Sequence, residues 1–337
     1  MKRITLKLAL PVKFTYISQT IRNSKGTRDS VTQFAKFIVT DRSQKKGCCN
    51  LKSSFSMRLM SEEVAFVVMA AGMGSRYNGI KQLESFGADG LTIAEYNIRH
   101  ALAAGCKKFY FIVNDGCAEM FHRRLKNFLP SDCTFSLIYQ RKEEALAKFC
   151  NRSKPWGTAH AVMCCSGIVG CNFCVTNADD LYGRDAILRA IEFLRSTEKD
   201  RTTFANVAYA LAETLSDWGS VSRGVIAVGG DSKLRSIDEV LGVSFATMDK
   251  LNLSKDSMVS MNLWGFTPEV FKLLLQSWKE FRKNISDAVN DEFGLPFFIN
   301  SAIKLGKCSV EILRTTSKWH GITYKTDVAS LEEALKA

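Results

Sequence analysis

The chain has 337 residues, of which 46% are hydrophobic and 24% are charged. This composition supports a globular protein with an apolar core and excludes a disordered or collagen-like chain. The net charge of +12 is unevenly placed, because residues 1–60 hold thirteen Lys or Arg and two Asp. The remaining 33 basic and 32 acidic residues nearly balance, which argues against nucleic acid as a partner.

Residues 1–60 form a basic extension that we expect to lack regular structure, followed by one folded domain over residues 61–337. Lys, Arg, Ser and Thr with few acids are typical of an organellar transit peptide. The alternative is a true start at Met57 or Met60. No run approaches the ~20 apolar residues that span a bilayer, so we expect no membrane contact. The expected location is the cytoplasm, with import through the extension left open.

Apolar runs after residue 63 predict strands and helices in alternation. Strands are predicted over residues 64–69, 109–113, 135–139, 172–176, 204–211 and 258–266, and helices over 92–104, 118–129, 158–168, 184–196 and from 268. The pair Gly229-Gly230 between two further short apolar runs predicts a hairpin. Alternation of this kind is typical of βαβ units. The predicted fold is therefore a three-layer α/β/α domain with a mixed, mostly parallel sheet.

A glycine-rich loop over residues 70–83 follows directly after the first predicted strand. Gly72 and Gly74 allow backbone N–H groups to approach an anion closely. Arg76 and Lys81 add fixed positive charge that suits a triphosphate. An ordinary turn with two solvated bases is the alternative, but the position after a buried strand favours phosphate binding.

Two better-known phosphate loops do not fit this segment. A dinucleotide fingerprint requires a third glycine where the chain has Tyr77. A Walker A loop requires Lys and then Ser or Thr after its last glycine, whereas Ile80 and Lys81 follow Gly79. The loop therefore belongs to neither of these classes.

Two adjacent carboxylates, Asp179 and Asp180, follow the strand predicted over residues 172–176. In an open parallel sheet, ligands bind outside the carboxyl ends of the strands, so Asp179 shares an edge with the glycine-rich loop. Mg²⁺ takes few protein oxygens and completes its coordination with substrate phosphates. We therefore favour Asp179 as a metal ligand, whereas Asp180 is a candidate cap for the helix that begins near Arg184.

Two further features of the sequence are a helix start near Gly157 and the cysteine content. Gly157 permits close backbone approach, Thr158 is the expected N-cap of a helix, and His160 on that helix is interpreted as structural. The eleven cysteines favour a reducing compartment. Cys171 and Cys174 form a CxxC, for which buried thiols are favoured over a zinc or redox site.

Five segments in order resemble the motifs of one family, the sugar-phosphate nucleotidylyltransferases, or NDP-sugar pyrophosphorylases. The glycine-rich segment 69–83 resembles the first motif of that family. The other four are residues 157–162, 177–179, 218–221 and 259–266. Together they cover nearly all of the chain after the basic extension. The resemblance implies a Rossmann-like nucleotidyltransferase catalytic domain.

The resemblance also implies a reaction and a set of site residues. A phosphate oxygen of a sugar 1-phosphate attacks the α-phosphorus of an NTP, and pyrophosphate leaves. Arg76 and Lys81 are the implied catalytic residues, and Asp179 is the implied ligand of Mg²⁺. The implied nucleotide-binding residues are Ala70, Ala71, Gly72, Gly74, Gln140, Gly157 and Thr158, and the implied acceptor-binding residues are Asn262 and Arg223.

Some alternatives stay open at this point. His320 stands about where the family commonly places a second metal carboxylate, and Asp327 is a candidate substitute. An NDP-sugar-dependent glycosyltransferase on the same fold and a catalytically silent nucleotide-binding regulator are the rival functions. The sequence does not specify the base, the acceptor or the oligomeric state, and a homo-oligomer is compatible with it.

Overall fold

The computed structural model describes residues 13–19, 34–40, 63–72, 84–140, 152, 154–196, 200–216, 218–287, 289–321 and 327–335. The chain divides into two compact units, Met1–Leu59 and Met60–Ala337. In the first unit, strands β1 (Lys13–Gln19) and β2 (Phe34–Thr40) pair antiparallel. Regular structure was not expected there. The β-branched and aromatic residues of both segments favour strands.

The second unit alternates strands and helices, as predicted. Its strands are β3 (Val64–Met69), β4 (Lys108–Val113), β5 (Thr134–Tyr139), β6 (Asn172–Asn177), β7 (Asp180–Leu181), β8 (Thr203–Ala210), β9 (Val221–Val228), β10 (Leu234–Val243), β11 (Met258–Phe266), β12 (Ser309–Arg314) and β13 (His320–Gly321). Its helices are α1 (Ile93–Ala103), α2 (Ala118–Phe128), α3 (Thr158–Met163), α4 (Arg184–Arg195), α5 (Val270–Lys283), α6 (Leu295–Lys304) and α7 (Asp327–Ala334). None of the helices in the described ranges combines the length and the apolar content of a membrane span.

The main sheet has a parallel half and an antiparallel half. The parallel half has the order β5-β4-β3-β6, with β3 between β4 and β6. Beyond β6, strand β11 pairs antiparallel with β6, β8 and β9. β12 joins β8 in parallel, and β10 completes the β9 hairpin. The parallel half carries the predicted βαβ units, and the α/β fold class is confirmed.

Helices cover both faces of the sheet, which makes three layers. Phe66 and Val68 of β3 pack with the apolar faces of α1, α2 and α4. Ala65 and Val67 point to the opposite face and pack with α3, α5 and α6. All four side chains are fully buried. A strand buried on both faces needs apolar residues at every position, which explains the uninterrupted apolar run of β3.

The start of α1 is fixed by a capping box. Glu95 N donates to Thr92 Oγ1 at 3.2 Å, and Thr92 N donates to Glu95 Oε2 at 2.7 Å. Arg124 Nε of α2 donates to the other oxygen of Glu95 at 2.7 Å, so the two helices are joined at a buried carboxylate. Asn97, two residues after Glu95 on α1, lies beside β7 and donates from Nδ2 to Asp180 O at 2.7 Å.

Candidate active site

The carboxyl ends of the four parallel strands meet along one edge of the sheet. Ala70 N donates to Ile112 O at 2.7 Å, and Ala178 N donates to Met69 O at 3.0 Å. Gln140 N donates to Val113 O at 2.9 Å. These bonds extend the pairing beyond the strands. They bring three parts of the predicted site to one edge: the start of the glycine-rich loop, Gln140 and the residue before Asp179.

The start of the glycine-rich loop is held by a side chain that the sequence analysis missed. Asn114 Nδ2, directly after β4, donates to Ala71 O at 3.0 Å. Asn114 Oδ1 accepts from Cys117 N at 3.1 Å, so the same amide also orders the start of α2. Asn114 could have been identified from the sequence as a polar residue at the carboxyl end of a predicted parallel strand.

The rest of the loop lies outside the described residues. Ala70 and Ala71 are buried and Gly72 is exposed at the end of β3. Gly74, Arg76 and Lys81 fall in the undescribed range 73–83. The catalytic and phosphate-binding roles of these three residues therefore stay predictions.

Gln140 contacts the first turn of α3 through its side-chain amide. Gln140 Nε2 lies 3.0 Å from Gly157 O and 3.2 Å from His160 Nδ1. Gly157 has a φ of +104°. A Cβ at this position would lie 2.7 Å from Phe293 O. Only glycine therefore combines this backbone conformation with this close approach. The predicted base-reading pair, Gln140 and Gly157, is in direct contact.

Thr158 is not the N-cap that the sequence predicted. The N-cap of α3 is Gly157, which makes no side-chain cap, and the helix ends at Met163. Thr158 Oγ1 instead accepts from Leu295 N at 2.9 Å, and Ala159 N donates to Phe293 O at 3.0 Å. The hydroxyl is therefore engaged by the start of α6, a contact between distant parts of the chain. The nucleotide-binding role of Thr158 stays a prediction.

Aromatic side chains surround His160. Its ring centroid lies 4.9 Å from that of Trp278, which also packs against Trp156 at 5.7 Å. Arg152 lies over the Trp156 ring at 4.0 Å. Burial lowers the pKa of His160 to about 4, and the nearby Arg152 charge acts in the same direction. The imidazole is therefore neutral at neutral pH.

The carboxylates after β6 have different surroundings. The carboxylate of Asp180 accepts from Asn177 Nδ2 at 2.7 Å, and the Tyr182 hydroxyl oxygen lies 3.3 Å from the same carboxylate. Its carbonyl accepts from Asn97 Nδ2 at 2.7 Å, and Tyr182 N donates to Asn97 Oδ1 at 3.2 Å. The fully buried Asn97 amide therefore fixes the segment that follows Asp179. Asp179 itself is half-buried.

The prediction that Asp180 caps the following helix is wrong. The N-cap of α4 is Gly183, without a side-chain cap. Asp180 is turned toward Asn177 instead. The acidic residue in the first turn is Asp185, which pairs with Arg189 at 2.8 Å and accepts from the Thr315 hydroxyl at 2.6 Å.

A C-terminal strand lies beside the carboxylates. β13 pairs antiparallel with β7, which sets Gly321 opposite Asp180 and His320 opposite Leu181. The segment that family resemblance places at the metal site is therefore next to Asp180. The alternative ligand, Asp327, is buried and accepts from Ser216 Oγ at 3.0 Å.

Arg223 is buried and donates to protein oxygens. Arg223 Nε donates to Thr214 Oγ1 at 3.1 Å, and Nη1 donates to Ser222 O at 2.8 Å, while Nη2 donates to Thr214 O. The guanidinium lies 5.0 Å from the ring centre of Trp319. Burial lowers the pKa of Arg223 to about 10, with Asp180 and Asp327 opposing the shift. The group stays charged, and its predicted acceptor-binding role stays a prediction.

Asn262 occupies an irregular point of β11. The strand pairs with β9 through Val259 and Ser260, and with β6 from Trp264 onward. Asn262 lies at the register shift between these halves with a φ of +62°, a conformation that non-glycine residues rarely adopt. The neighbouring Met261 O accepts from the Tyr182 hydroxyl at 2.8 Å. Strained residues of this kind concentrate at binding sites.

Of the two CxxC cysteines, only Cys174 is buried. Burial raises the pKa of Cys174 well above its ordinary value and also raises the pKa of the half-buried Cys171. Within the described ranges, no group of three or more His, Cys, Asp or Glu side chains could hold a metal ion.

A family comparison identifies the class of protein. The nucleotidyl transferase family matches residues 65–294. The chain therefore belongs to the nucleotidyl transferase family, and it is a nucleotidyltransferase. The resemblance seen in the sequence is confirmed. No curated protein matches the chain significantly.

Several solved structures share the fold. The inositol-1-phosphate CTP transferase from T. maritima is 14% identical with a TM-score of 0.58, covering 82% of this chain and 96% of that one. A UDP-glucose pyrophosphorylase complexed with UDP-glucose is 14% identical with a TM-score of 0.54, covering 81% and 98%. The UDP-glucose pyrophosphorylase from Acinetobacter baumanii is 15% identical with a TM-score of 0.54, covering 81% and 97%.

Proposed function

We propose that the chain transfers a nucleotidyl group from an NTP to a sugar 1-phosphate and releases pyrophosphate, with Mg²⁺ as the cofactor. One observation supports this proposal most directly. The start of the glycine-rich loop, the contact between Gln140 and Gly157, and Asp179 lie along one carboxyl edge of the sheet. That edge is where α/β sheets bind nucleotides. The inositol 1-phosphate and the UDP-glucose named for the structural neighbours agree with this assignment.

The nucleotide would lie over β3, β4 and β5. Its base would meet Gln140 and Gly157, which are in contact after β5 and before α3. Its phosphates would meet the backbone of Ala71 and Gly72, where the loop begins. Arg76 and Lys81, later in that loop, would supply positive charge to the β- and γ-phosphates and to the reacting phosphate.

Asp179 fits the needs of a magnesium ion at this edge. It is half-buried and lies two residues after β6, beside the Asp180 carboxylate, which accepts a hydrogen bond from Asn177. Mg²⁺ typically takes one or two carboxylates and completes its shell with substrate phosphates and water. One carboxylate beside a triphosphate is therefore a suitable donor set. When bound, the ion supplies charge neutralisation at the phosphates.

The reaction is a substitution at the α-phosphorus. A phosphate oxygen of the acceptor forms a bond to that phosphorus, and the bond to the bridging oxygen of the β-phosphate breaks. Pyrophosphate leaves with the electron pair. Negative charge grows on the leaving group and on the α-phosphate oxygens, where Arg76 and Lys81 would stabilise it. Positioning and charge neutralisation suffice for this chemistry, and no nucleophilic side chain is required.

The acceptor would lie toward β11, near Asn262. This residue follows Met261, whose carbonyl accepts from Tyr182 in the segment after Asp179. The acceptor and the metal carboxylate would therefore be neighbours. Arg223 would support this surface through its charge and its hydrogen bonds within the protein, because its donors are engaged by Thr214 and Ser222.

Pyrophosphate release with Mg²⁺ tests the proposal. Four NTPs are crossed with a panel of sugar 1-phosphates and inositol phosphates. Release that depends on both one NTP and one acceptor is expected. A protein that binds an NTP but releases nothing with any acceptor would instead be a nucleotide-binding regulator. Transfer from an NDP-sugar without an NTP would indicate a glycosyltransferase.

Two variants test the site within the same assay. Lys81→Ala and Asp179→Ala are each expected to lower turnover by about 100-fold or more, because each removes charge stabilisation at the reacting phosphates. Lys250→Ala and Asp256→Ala, at exposed positions, are the matched controls and keep normal rates. Near-normal turnover in either site variant would reject that residue's role.

A further inference from the structure

The Gln140 amide can take only one orientation in its observed contacts. Gly157 O is a carbonyl oxygen and can only accept, so the atom 3.0 Å from it must be the nitrogen Nε2. That assignment follows from the partner's chemistry rather than from the appearance of the amide. It places both described side-chain hydrogen bonds of Gln140 on Nε2.

His160 completes this orientation. Its Nδ1 lies 3.2 Å from the same Nε2 and 4.0 Å from Cys164 Sγ. With the amide nitrogen facing it, Nδ1 accepts, and the proton of the neutral ring resides on Nε2 of the imidazole. The side chain is 2% exposed and lies against Trp278. Burial lowers its pKa to about 4, which keeps this acceptor form at neutral pH.

The consequence is a fixed donor and acceptor pattern toward solvent. With Nε2 bound to Gly157 and His160, the amide offers its oxygen, Oε1, to a ligand. A reversed amide would place Oε1 against Gly157 O, an acceptor–acceptor contact that is disfavoured, and it would also require the His160 ring proton to move from Nε2 to Nδ1. Without His160, the second requirement is removed and the reversed amide becomes more accessible.

We propose that His160 is a positioning residue that sets base selectivity by holding the Gln140 amide with its oxygen toward the base of the NTP. This inference rests on the proposed function, in which Gln140 and Gly157 meet the base. A fixed oxygen favours a base that places an N–H there and penalises one that places a lone pair there. An amide that can take either orientation would accept both kinds of base.

The test compares two pairs of NTPs whose bases differ in the protonation of one ring nitrogen. UTP and CTP differ at N3, and GTP and ATP differ at N1, where the first of each pair carries a proton and the second a lone pair. The ratio of kcat/KM within each pair is measured for the wild-type protein and for His160→Phe. His160→Phe removes the ring nitrogen that accepts from Gln140. The larger of the two ratios is therefore expected to shrink by about tenfold, the value of one hydrogen bond.

Two further variants separate a positioning role of His160 from a general loss of packing in α3. His160→Asn retains a side-chain oxygen that can accept from Gln140 Nε2, and it is expected to restore much of the ratio. Val162→Ala creates space on the same helix at a fully buried position without touching Gln140. It is expected to lower stability and to leave the ratio unchanged. A purely structural role for His160 would make His160→Phe behave like Val162→Ala, which would overturn the inference.

NTP affinity, measured by calorimetry without acceptor, distinguishes the two proposals. If no acceptor supports turnover but the wild-type protein binds the NTPs selectively, the proposed function fails while the affinity ratios still test His160. An unchanged affinity ratio in His160→Phe overturns the inference even when turnover is normal. Equal affinity of the wild-type protein for all four NTPs also overturns it, because no selectivity would then exist for His160 to set.

Discussion

The two sides of the candidate site are built differently. On the base side, Gln140, Gly157 and a neutral His160 form a small uncharged network among aromatic rings. On the acceptor side, two acidic side chains and a buried arginine, Asp180, Asp327 and Arg223, lie around β7 and β13. The base side is suited to reading the shape and hydrogen bonds of a flat ligand. The acceptor side is suited to neutralising the charge of its ligands.

This difference predicts how each side tolerates change. The base side depends on close backbone approach and on one protonation state, so steric and acid perturbations affect it first. The acceptor side depends on hydrogen bonds that join distant elements, such as the Asn97 bridge between α1 and β7. Four predictions, ordered by their expected effect on the free energy of unfolding, test this contrast.

Gly157→Ala is expected to have the largest effect. The new Cβ would lie 2.7 Å from Phe293 O at a φ of +104°. We expect a loss of about 4 kcal/mol in the free energy of unfolding and a loss of NTP binding. Gly170→Ala is the control, since nothing lies within 4 Å of its added Cβ. Denaturant unfolding and calorimetry measure both, and equal stability of the two variants would contradict the close approach.

Acidification should act in part through His160. The folded pKa of about 4 lies below the ordinary 6.5, so the unfolded chain binds more protons between these values. The free energy of unfolding therefore falls as the pH drops from about 6.5 to about 4, by about 3 kcal/mol at most. His160→Asn lacks this contribution, so its unfolding should depend less on pH across the same range. Parallel pH profiles for the two proteins would show that His160 is not held neutral by burial.

Asn97→Ala probes the acceptor side. It leaves Asp180 O and Tyr182 N without their buried partners, and we expect a loss of about 2 kcal/mol in the free energy of unfolding. Turnover should fall further than stability alone explains, because the segment after Asp179 loses its anchor. Arg99→Ala, on the same helix in an exposed ion pair, should change stability by less than about 0.5 kcal/mol. If turnover in Asn97→Ala stays normal below the unfolding transition, the anchor has no role in the site.

Asn262→Gly should have the smallest effect on stability. Glycine accepts the φ of +62°, so the free energy of unfolding should change by less than about 1 kcal/mol. Loss of the amide should raise the KM for the acceptor about tenfold and leave the KM for the NTP unchanged. Asn252→Gly is the matched control, since Asn252 also has a positive φ of 55°. A larger change in the KM for the NTP than in the KM for the acceptor would mean that Asn262 contacts the NTP instead.

The sequence was most informative where structure is decided locally. The apolar run of β3 and the helical spacing of the apolar residues after Thr92 were sufficient to predict β3 and α1. The same local reasoning failed at Thr158, because its hydroxyl is engaged by Leu295, far along the chain. It failed at Asp180 for a related reason, since a buried network of Asn97, Asn177 and Tyr182 outcompetes helix capping.

The pairing of β7 with β13 shows a second limit. Two-residue strands carry no periodicity, so nothing in the sequence indicated that Gly321 would lie opposite Asp180. The burial of Arg223 against Trp319 was equally inaccessible, because it depends on where both strands lie. Resemblance to a family placed His320 near the metal site, and only the structure showed which strand its segment pairs with.

The central claim is transfer at the α-phosphorus, and labelled NTPs test it most directly. The active NTP is supplied with ³²P at either the α- or the γ-phosphate, together with its acceptor. The account predicts that α-label appears in a product containing the acceptor and that γ-label appears in pyrophosphate. γ-Label in the acceptor would mean phosphoryl transfer, and α-label remaining in free nucleotide would mean hydrolysis. Either result would contradict the proposed reaction.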